Sequence, residues 1–218
     1  MRLQPRLKAL YDLIAPCKVL ADIGCDHALL PIALVQGGKC EKAYACDINE
    51  LPLKRGFEAI KQAKLENQIF PLLTDGICGL QSDVEAIVIA GMGYETIIHI
   101  LGSNLKQAHS YEQIILQCNN HVDLLRKWLM EHDFKIIDET LSKDGNHYYQ
   151  MMVVTYGRMQ LDEQQLLFGL NLDDHPLFQE YWNKQLQKRL MIFNQLQPHH
   201  ESYEAIQKEI EWMKNRLK

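Results

Sequence analysis

The chain of 218 residues has room for one domain, or for a large domain with a smaller appendage. A hydrophobic content of 47% supports a buried core, and a net charge of −5 supplies no general attraction to nucleic acid, so any such binding must come from local patches. The six cysteines form no C-x-x-C pair and lie among apolar neighbours, which argues against a metal knuckle or a disulfide frame and for reduced thiols.

In chain order, Leu3 to Ala15 places Leu3, Leu7, Leu10, Leu13 and Ile14 at helical spacing, and Pro16 stops the pattern. This reads as an amphipathic helix closing one edge of a core. Its other face carries Arg2, Arg6 and Lys8, a small basic patch that is a candidate phosphate contact. Next comes KVLADIGCDHALLP, from Lys18 to Pro31. Its apolar run, ending at Asp22 and turning at Gly24 into a helix-like segment, fits a strand buried in a parallel sheet. A glycine there lets backbone pass close to a ligand, and the following helix offers free N–H groups. A second strand, Ala43 to Cys46, ends in Asp47, placed to accept from both hydroxyls of an adenosine ribose.

The spacing selects among nucleoside cofactors. A dinucleotide fingerprint needs three glycines, but here Asp26 and Ala28 stand where the later ones would be. Asp26 would put negative charge against a pyrophosphate, which disfavours NAD and FAD. A cofactor with a cationic end and no phosphate, S-adenosylmethionine, tolerates that carboxylate. The plainer alternative is that Asp22 or Asp26 caps the next helix.

The alternation continues. Leu29 to Val35 is a predicted helix, as is Leu51 to Leu65. Ile69 to Leu73 is a strand followed by Thr74-Asp75-Gly76, and Ala86 to Ala90 is a strand ending at Gly91-Met92-Gly93, with a helix to Leu101. Gln113 to Leu116 is a strand, Val122 to His132 a helix, and Phe134 to Leu141 with Tyr148 to Thr155 a closing pair of strands. Such an order implies right-handed βαβ units and a parallel sheet, with an antiparallel edge from the late pair. It resembles the seven-stranded, Rossmann-like sheet of class I methyltransferases, an α/β fold.

From about Leu161 no further strand is predicted. Phe178, Trp182, Leu186, Leu190, Phe193 and Leu196 form one helical seam, and Ile206, Ile210, Met213 and Leu217 form another. Joined at Gln197 to His200, they read as a coiled-coil-like α-helical hairpin. The expected division is residues 1–160 and 161–218. Both the first 18 residues and 184–218 carry a local excess of three positive charges. No apolar run reaches the roughly 18 residues of a membrane span and no signal-like leader is seen, so a soluble, cytoplasmic protein without a membrane partner is expected.

Three strand-end loops collect polar or glycine-rich residues: Gly24 to His27, Thr74 to Gly76, and Gly91 to Tyr94. In an open α/β sheet, ligands bind beyond the carboxyl ends of the strands, so these loops should meet. Asp75-Gly76 suits an adenine, with a carboxylate for the exocyclic amine, although Asp75 is also an ordinary turn residue. Gly91 and Gly93 clear space for a flat base, or serve tight packing. His27 is a polar contact near cofactor or substrate, or a cap. Gln117 and Asn119 have amides that could reach a substrate, while Asn119 or Asn120 could equally cap the next helix. The aromatics Tyr148 and Tyr149 suit either base stacking or a core strand face.

ADIGCDHALLP, TDG, VIAGMG, LQ-x-N and FG-x-x-L…HP-x-F-x-x-YW together resemble the bacterial tRNA adenine-N1-methyltransferases that modify position 22 of tRNA. The resemblance runs over nearly the whole chain. It implies a Rossmann-like catalytic domain, S-adenosylmethionine as donor, tRNA as partner, and a helical tail that helps hold it. It places cofactor binding at Asp22, Gly24, Asp26, His27, Asp47, Asp75 and Gly76, and the reaction centre at the Gly91-Met92-Gly93 loop, whose glycines are also expected cofactor contacts; Asp26 is a separate catalytic candidate. RNA contacts are then expected from Arg2, Arg6, Lys8, Lys184, Lys188, Arg189, Lys214 and Arg216, with no metal and a monomer favoured. The chain departs from the family pattern at Tyr94, where GMGG has its last glycine, at Cys118, where QPN has proline, and at Leu29, where an aromatic is common.

Direct attack by adenine N1 needs no strong base, so placement carries most of the catalysis. Asp26 could stabilise charge at the adenine amine or hold the donor's ammonium. Methyl transfer to another substrate, or a partner-binding module with a vestigial cofactor fold, are the competing readings.

Overall fold

The computed structural model describes residues 3–217. The elements run α1 (Pro5–Leu13), β1 (Cys17–Ile23), α2 (Leu29–Gln36), β2 (Cys40–Asp47), α3 (Glu50–Gln62), β3 (Ile69–Leu73), β4 (Ala86–Met92), α4 (Tyr94–Gly102), α5 (Leu105–Ala108), β5 (Gln113–Cys118), α6 (Val122–Glu131), β6 (Phe134–Asp144), β7 (His147–Tyr156), α7 (Glu163–Phe168), α8 (Phe178–Phe193) and α9 (Tyr203–Arg216). The seven strands form one sheet in the order β3-β2-β1-β4-β5-β7-β6. Strands β1 to β5 pair in parallel, while β7 runs antiparallel between β5 and β6. The expected Rossmann-like sheet and its antiparallel edge are therefore both present.

Strand alternation sorts the side chains into two cores. Val19, Ala21 and Ile23 of β1 join Ile114 and Leu116 of β5 on the face covered by α4 and α6. Leu20 and Ile115 join the opposite face, with Leu10 of α1 and Leu30, Ile32 and Leu34 of α2. Two glutamines on that second face align α1 with β5. Gln113 accepts from Ala15 N (3.0 Å) and donates to Ala15 O (2.9 Å), while Gln117 accepts from Arg6 Nη1 (3.1 Å). Helix α1 packs against β6 and β7, and these bonds set the segment after it at the start of β5 and its first turn at the carboxyl end of that strand.

The chain divides into two compact units, residues 1–170 and 171–218. The boundary expected at 160/161 falls ten residues later, because Leu161 and Phe168 are buried and belong with the sheet unit. The fully buried Arg126 of α6 fixes this segment. It donates to Glu139 Oε1 (2.8 Å), Gln150 Oε1 (2.6 Å) and Leu166 O (2.8 Å). Glu139 faces inward because the β6 register shifts between Ile136 and Asp138, which reverses the strand's alternation. In the second unit α8 and α9 pack together. Phe178, Trp182 and Leu186 of α8 are buried, as are Ile210 and Met213 of α9. The Phe193 and Tyr203 rings meet at 4.7 Å, and Arg189 bonds Glu209 at 2.6 Å.

Candidate cofactor and reaction site

Strands β1 and β4 are neighbours, yet α2 and α4, which follow them, cover opposite faces of the sheet. This crossover opens a crevice at their carboxyl ends, the usual place for a ligand in such sheets. Gly24 turns out of β1 at φ +80°, and the Gly24 and Cys25 amides donate to Cys46 O, tying the turn to the end of β2. On the other side, the β4–β5 register slips between Ala90 and Met92, so Gly91 is an extra residue at φ +79°. The slip re-aims Met92, whose methyl packs where a side chain at position 24 would stand. Both glycine loops expected from sequence therefore meet, and both positions have backbone that strains any other residue.

Around this contact lie the expected acids. Asp22 is 8% exposed on the face that α1 covers. Burial pushes its carboxyl up to about 7, Arg6 pulls the other way and Asp47 adds to the rise. Asp47 ends β2 half-buried, its Oδ1 accepting from Asn49 N at 2.9 Å. Thr74 N donates to Asp47 O (3.0 Å), which brings the Thr74-Asp75-Gly76 turn beside it. Asp75 is exposed, while Gly76 is buried at φ +58° with Ile100 packed against it. Asp26 and His27 lie further out. Asp26 is 58% exposed and pairs with His27 Nε2 (3.2 Å) and with Arg55 Nη1 of α3 (3.5 Å). Neither Asp22 nor Asp26 caps α2, whose N-cap is Ala28 with no side-chain bond.

The β5 side of the crevice is lined by amides. Gln117 Nε2 donates to Asn119 Oδ1 (2.9 Å), and Asn119 Nδ2 donates to Gly91 O (2.8 Å). Asn120 does not cap its own helix α6, whose N-cap is His121; its Oδ1 instead accepts from Tyr94 N at the start of α4. Tyr94 thus opens α4 where the family pattern has glycine, and Gly93 is its N-cap. Cys118, in the place of proline, is buried and donates its thiol to Asn120 O (2.9 Å).

The expected RNA contacts are distributed differently. Arg2 lies outside the described residues. Arg6 does not sit on an outer basic face: it is half-buried, bonded to Gln117 and 5.6 Å over the Tyr149 ring. Lys8 pairs with Asp12 one turn on. In the tail, Arg216 makes two bonds to Asp173 (both 2.6 Å) and Arg189 is held by Glu209, while Lys184, Lys188 and Lys214 are exposed. Sequence reading missed Arg6 as a crevice residue and Arg55 as the partner of Asp26. Among the described residues, no cluster of three or more His, Cys, Asp or Glu could hold a metal, and no helix is long and apolar enough to cross a membrane.

The profile of the tRNA (adenine(22)-N(1))-methyltransferase family matches residues 20–215. A Bacillus subtilis tRNA (adenine(22)-N(1))-methyltransferase is 28% identical over 209 residues, spanning 90% of this chain and 86% of the relative. A Streptococcus pneumoniae protein solved in complex with S-adenosyl-L-methionine superposes with a TM-score of 0.91 at 30% identity, over 100% of both chains. The structure of Mycoplasma capricolum TrmK with S-adenosyl-homocysteine gives a TM-score of 0.87 at 30% identity, over 100% of this chain and 98% of that one.

Proposed function

The chain belongs to the tRNA (adenine(22)-N(1))-methyltransferase family, and from that membership we propose how its residues transfer a methyl group from S-adenosylmethionine to N1 of adenine 22 in tRNA. The observation that carries the assignment of roles is the contact of the Gly24 turn with the Gly91–Met92 bulge at the β1/β4 crossover. A donor with a cationic end suits this place, where Arg6 is the positive charge acting on the nearly buried Asp22 carboxyl and burial still holds its pKa up.

S-adenosylmethionine supplies a methyl group on a sulfonium, electrophilic enough to need no metal or strong base. Asp47 holds the ribose hydroxyls, the Asp75-Gly76 turn meets the donor's adenine, and Gly24 lets the backbone approach. Asp26, positioned by Arg55 and His27, is assigned to the methionine ammonium; its 58% exposure and its place beside α3 favour that role over the target base. The Gly91-Met92-Gly93 bulge and the amides of Asn119 and Asn120 form the face on which the target adenine is placed, so that its N1 lone pair points at the methyl. Adenine 22 must leave its stack to reach such a crevice, at a cost of about a few kcal/mol. The exposed tail lysines Lys184, Lys188 and Lys214 are assigned to tRNA phosphates, with Lys8 as a further contact. The assignment of the reaction is tested with purified protein, labelled S-adenosylmethionine and unmodified tRNA transcripts. N1-methyladenosine in the digested product is the expected result, and unlabelled tRNA would refute it.

Asp47→Ala is expected to weaken donor binding without loss of cooperative unfolding. A charged hydrogen-bonding group of this kind contributes roughly 1.5–3 kcal/mol, or about 10- to 150-fold in Kd. Titration calorimetry reads it, and an unchanged Kd would remove the ribose role.

Asp22 makes donor binding depend on pH. The free protein holds the Asp22 proton up to about pH 7, whereas a bound cation favours the ionised form. Binding near pH 7 should therefore release a proton, and affinity should fall up to about tenfold per unit as pH drops below 7. Calorimetry in buffers of different ionisation enthalpy measures the release, and Asp22→Asn should abolish it. A release that persists in Asp22→Asn would assign the proton to another group.

A further inference from the structure

We propose that Arg6 is a positioning residue for methyl transfer, acting through Gln117 and Asn119 on the Gly91–Met92 bulge; this rests on the methyltransferase reading of the same crevice. A guanidinium only donates hydrogen bonds, whereas an amide side chain both donates and accepts and can be turned end for end. Arg6 Nη1 stands 3.1 Å from Gln117 Oε1, so the donor-only group at the head fixes which end of Gln117 faces it. Gln117 Nε2 must then point away, and it donates to Asn119 Oδ1 at 2.9 Å. That in turn leaves Asn119 Nδ2 to donate to Gly91 O at 2.8 Å. One arginine thereby sets the orientation of two amides and the direction of one carbonyl.

Burial gives the relay its force. Gln117 is fully buried, so water cannot replace Arg6 without rearrangement. The relay ends on the residue that forms the bulge, and Asn119 N also donates to Met92 O at 2.9 Å. Arg6 reaches the same residue directly: a side chain at Gly91 would meet its Nη1 at 3.0 Å. Met92 in turn packs against Gly24. The arginine, the amides and the two glycine turns are thus one connected set, with Tyr149 under the guanidinium at 5.6 Å. A phosphate handle would be free to move with RNA. Arg6 is committed to the protein.

The test compares wild type with Arg6→Ala, Arg6→Lys and Gln117→Glu in single-turnover methylation at saturating donor and tRNA, alongside donor and tRNA Kd values and thermal melts. Gln117→Glu keeps an acceptor for Arg6 but cannot donate to Asn119, so it cuts the relay at its second link and leaves the arginine in place. Arg6→Ala and Gln117→Glu are each expected to slow the single-turnover step by up to about 100-fold, the scale of a misplacement near 1 Å. The tRNA Kd should change by less than about threefold in both variants, and so should the donor Kd of Gln117→Glu, which keeps the Arg6 charge acting on Asp22. Arg6→Lys, which still donates, should recover at least about tenfold of the loss. Because both act in one relay, the Arg6→Ala/Gln117→Glu double variant should be no slower than the slower single variant. Arg6→Ala with a normal saturated rate and weaker tRNA binding would overturn the proposal and make Arg6 a phosphate contact. A normal rate in folded Gln117→Glu would overturn it even if Arg6→Ala failed to fold. A wild-type protein that leaves tRNA unmethylated would overturn the functional reading itself, and this proposal with it.

Discussion

Arg126→Ala is expected to destabilise the sheet unit by about 3–5 kcal/mol, because it strands a buried carboxylate. The Glu139 side chain is 1% exposed and loses its only ion-pair partner among the described residues, and Gln150 Oε1 and Leu166 O lose donors as well. For a unit of this size the melting temperature should fall on the order of 10 °C. The sign depends on leaving one charge behind. Replacing both charges, as Arg126→Met with Glu139→Leu, should recover much of the loss, since a buried pair is worth little net against apolar residues of similar volume. Leu170 N, which donates to Glu139 Oε2 at 2.5 Å, would still lack its acceptor, so recovery should be incomplete. Chemical denaturation of the three proteins decides it. A single variant within about 1 kcal/mol of wild type would mean that the pair is not desolvated as its burial implies.

Removing the tail should abolish tRNA methylation while sparing the donor site. The cut belongs after Leu170, because ending the chain near Gly157 would also strip Leu161 and Phe168 from the core and Leu166 O from Arg126. The residues assigned to the donor, from Asp22 to Gly93, all lie in the first unit. Residues 1–170 should therefore keep their donor Kd and lose about 100-fold or more in methylation at limiting tRNA, through lost phosphate contacts. In the intact protein, tRNA binding should weaken as salt rises, with a slope set by the number of phosphates met. Circular dichroism establishes that the shortened chain is folded. If it is folded and methylates tRNA as well as the whole chain, the hairpin is not the RNA handle.

The sheet was legible because its strands announce themselves chemically. AIVIA and QIILQ are short apolar runs bounded by turns, and glycine after β1 and β4 marked the crevice before any contact was known. Asp47 stood out for the same reason, at the end of a strand about twenty residues past the first turn. Two short helices were missed. For α7 a signal was available, since Asp162 and Gln165 form a capping box, a pattern readable as D-x-x-Q. The sheet unit extends past Gly157 for the same reason, since Leu161 and Phe168 are buried with it and do not join the seam of the tail. Arg126 falls on the apolar stripe of α6 with Leu125 and Leu129, a hint that it is buried. Its partner could not be found that way, because the bulge in β6 turns Glu139 inward against the strand's earlier alternation. Arg6 was misplaced for a related reason: helical periodicity assigns it to a polar face, but not to the end of β5 that the face meets. Basic side chains in the tail show the same limit, as Arg189 and Arg216 have carboxylate partners 20 and 43 residues away, at Glu209 and Asp173.

Methyl transfer to N1 of adenine 22 is tested with two tRNA transcripts that differ only at position 22, one with A and one with G. Each is incubated with the purified chain and labelled S-adenosylmethionine, and the modified site is then located by reverse transcription, which N1-methyladenosine blocks. Label is expected in the A22 transcript alone, with a stop at that position. Equal labelling of both transcripts, or label in A22 tRNA without a stop there, would contradict it.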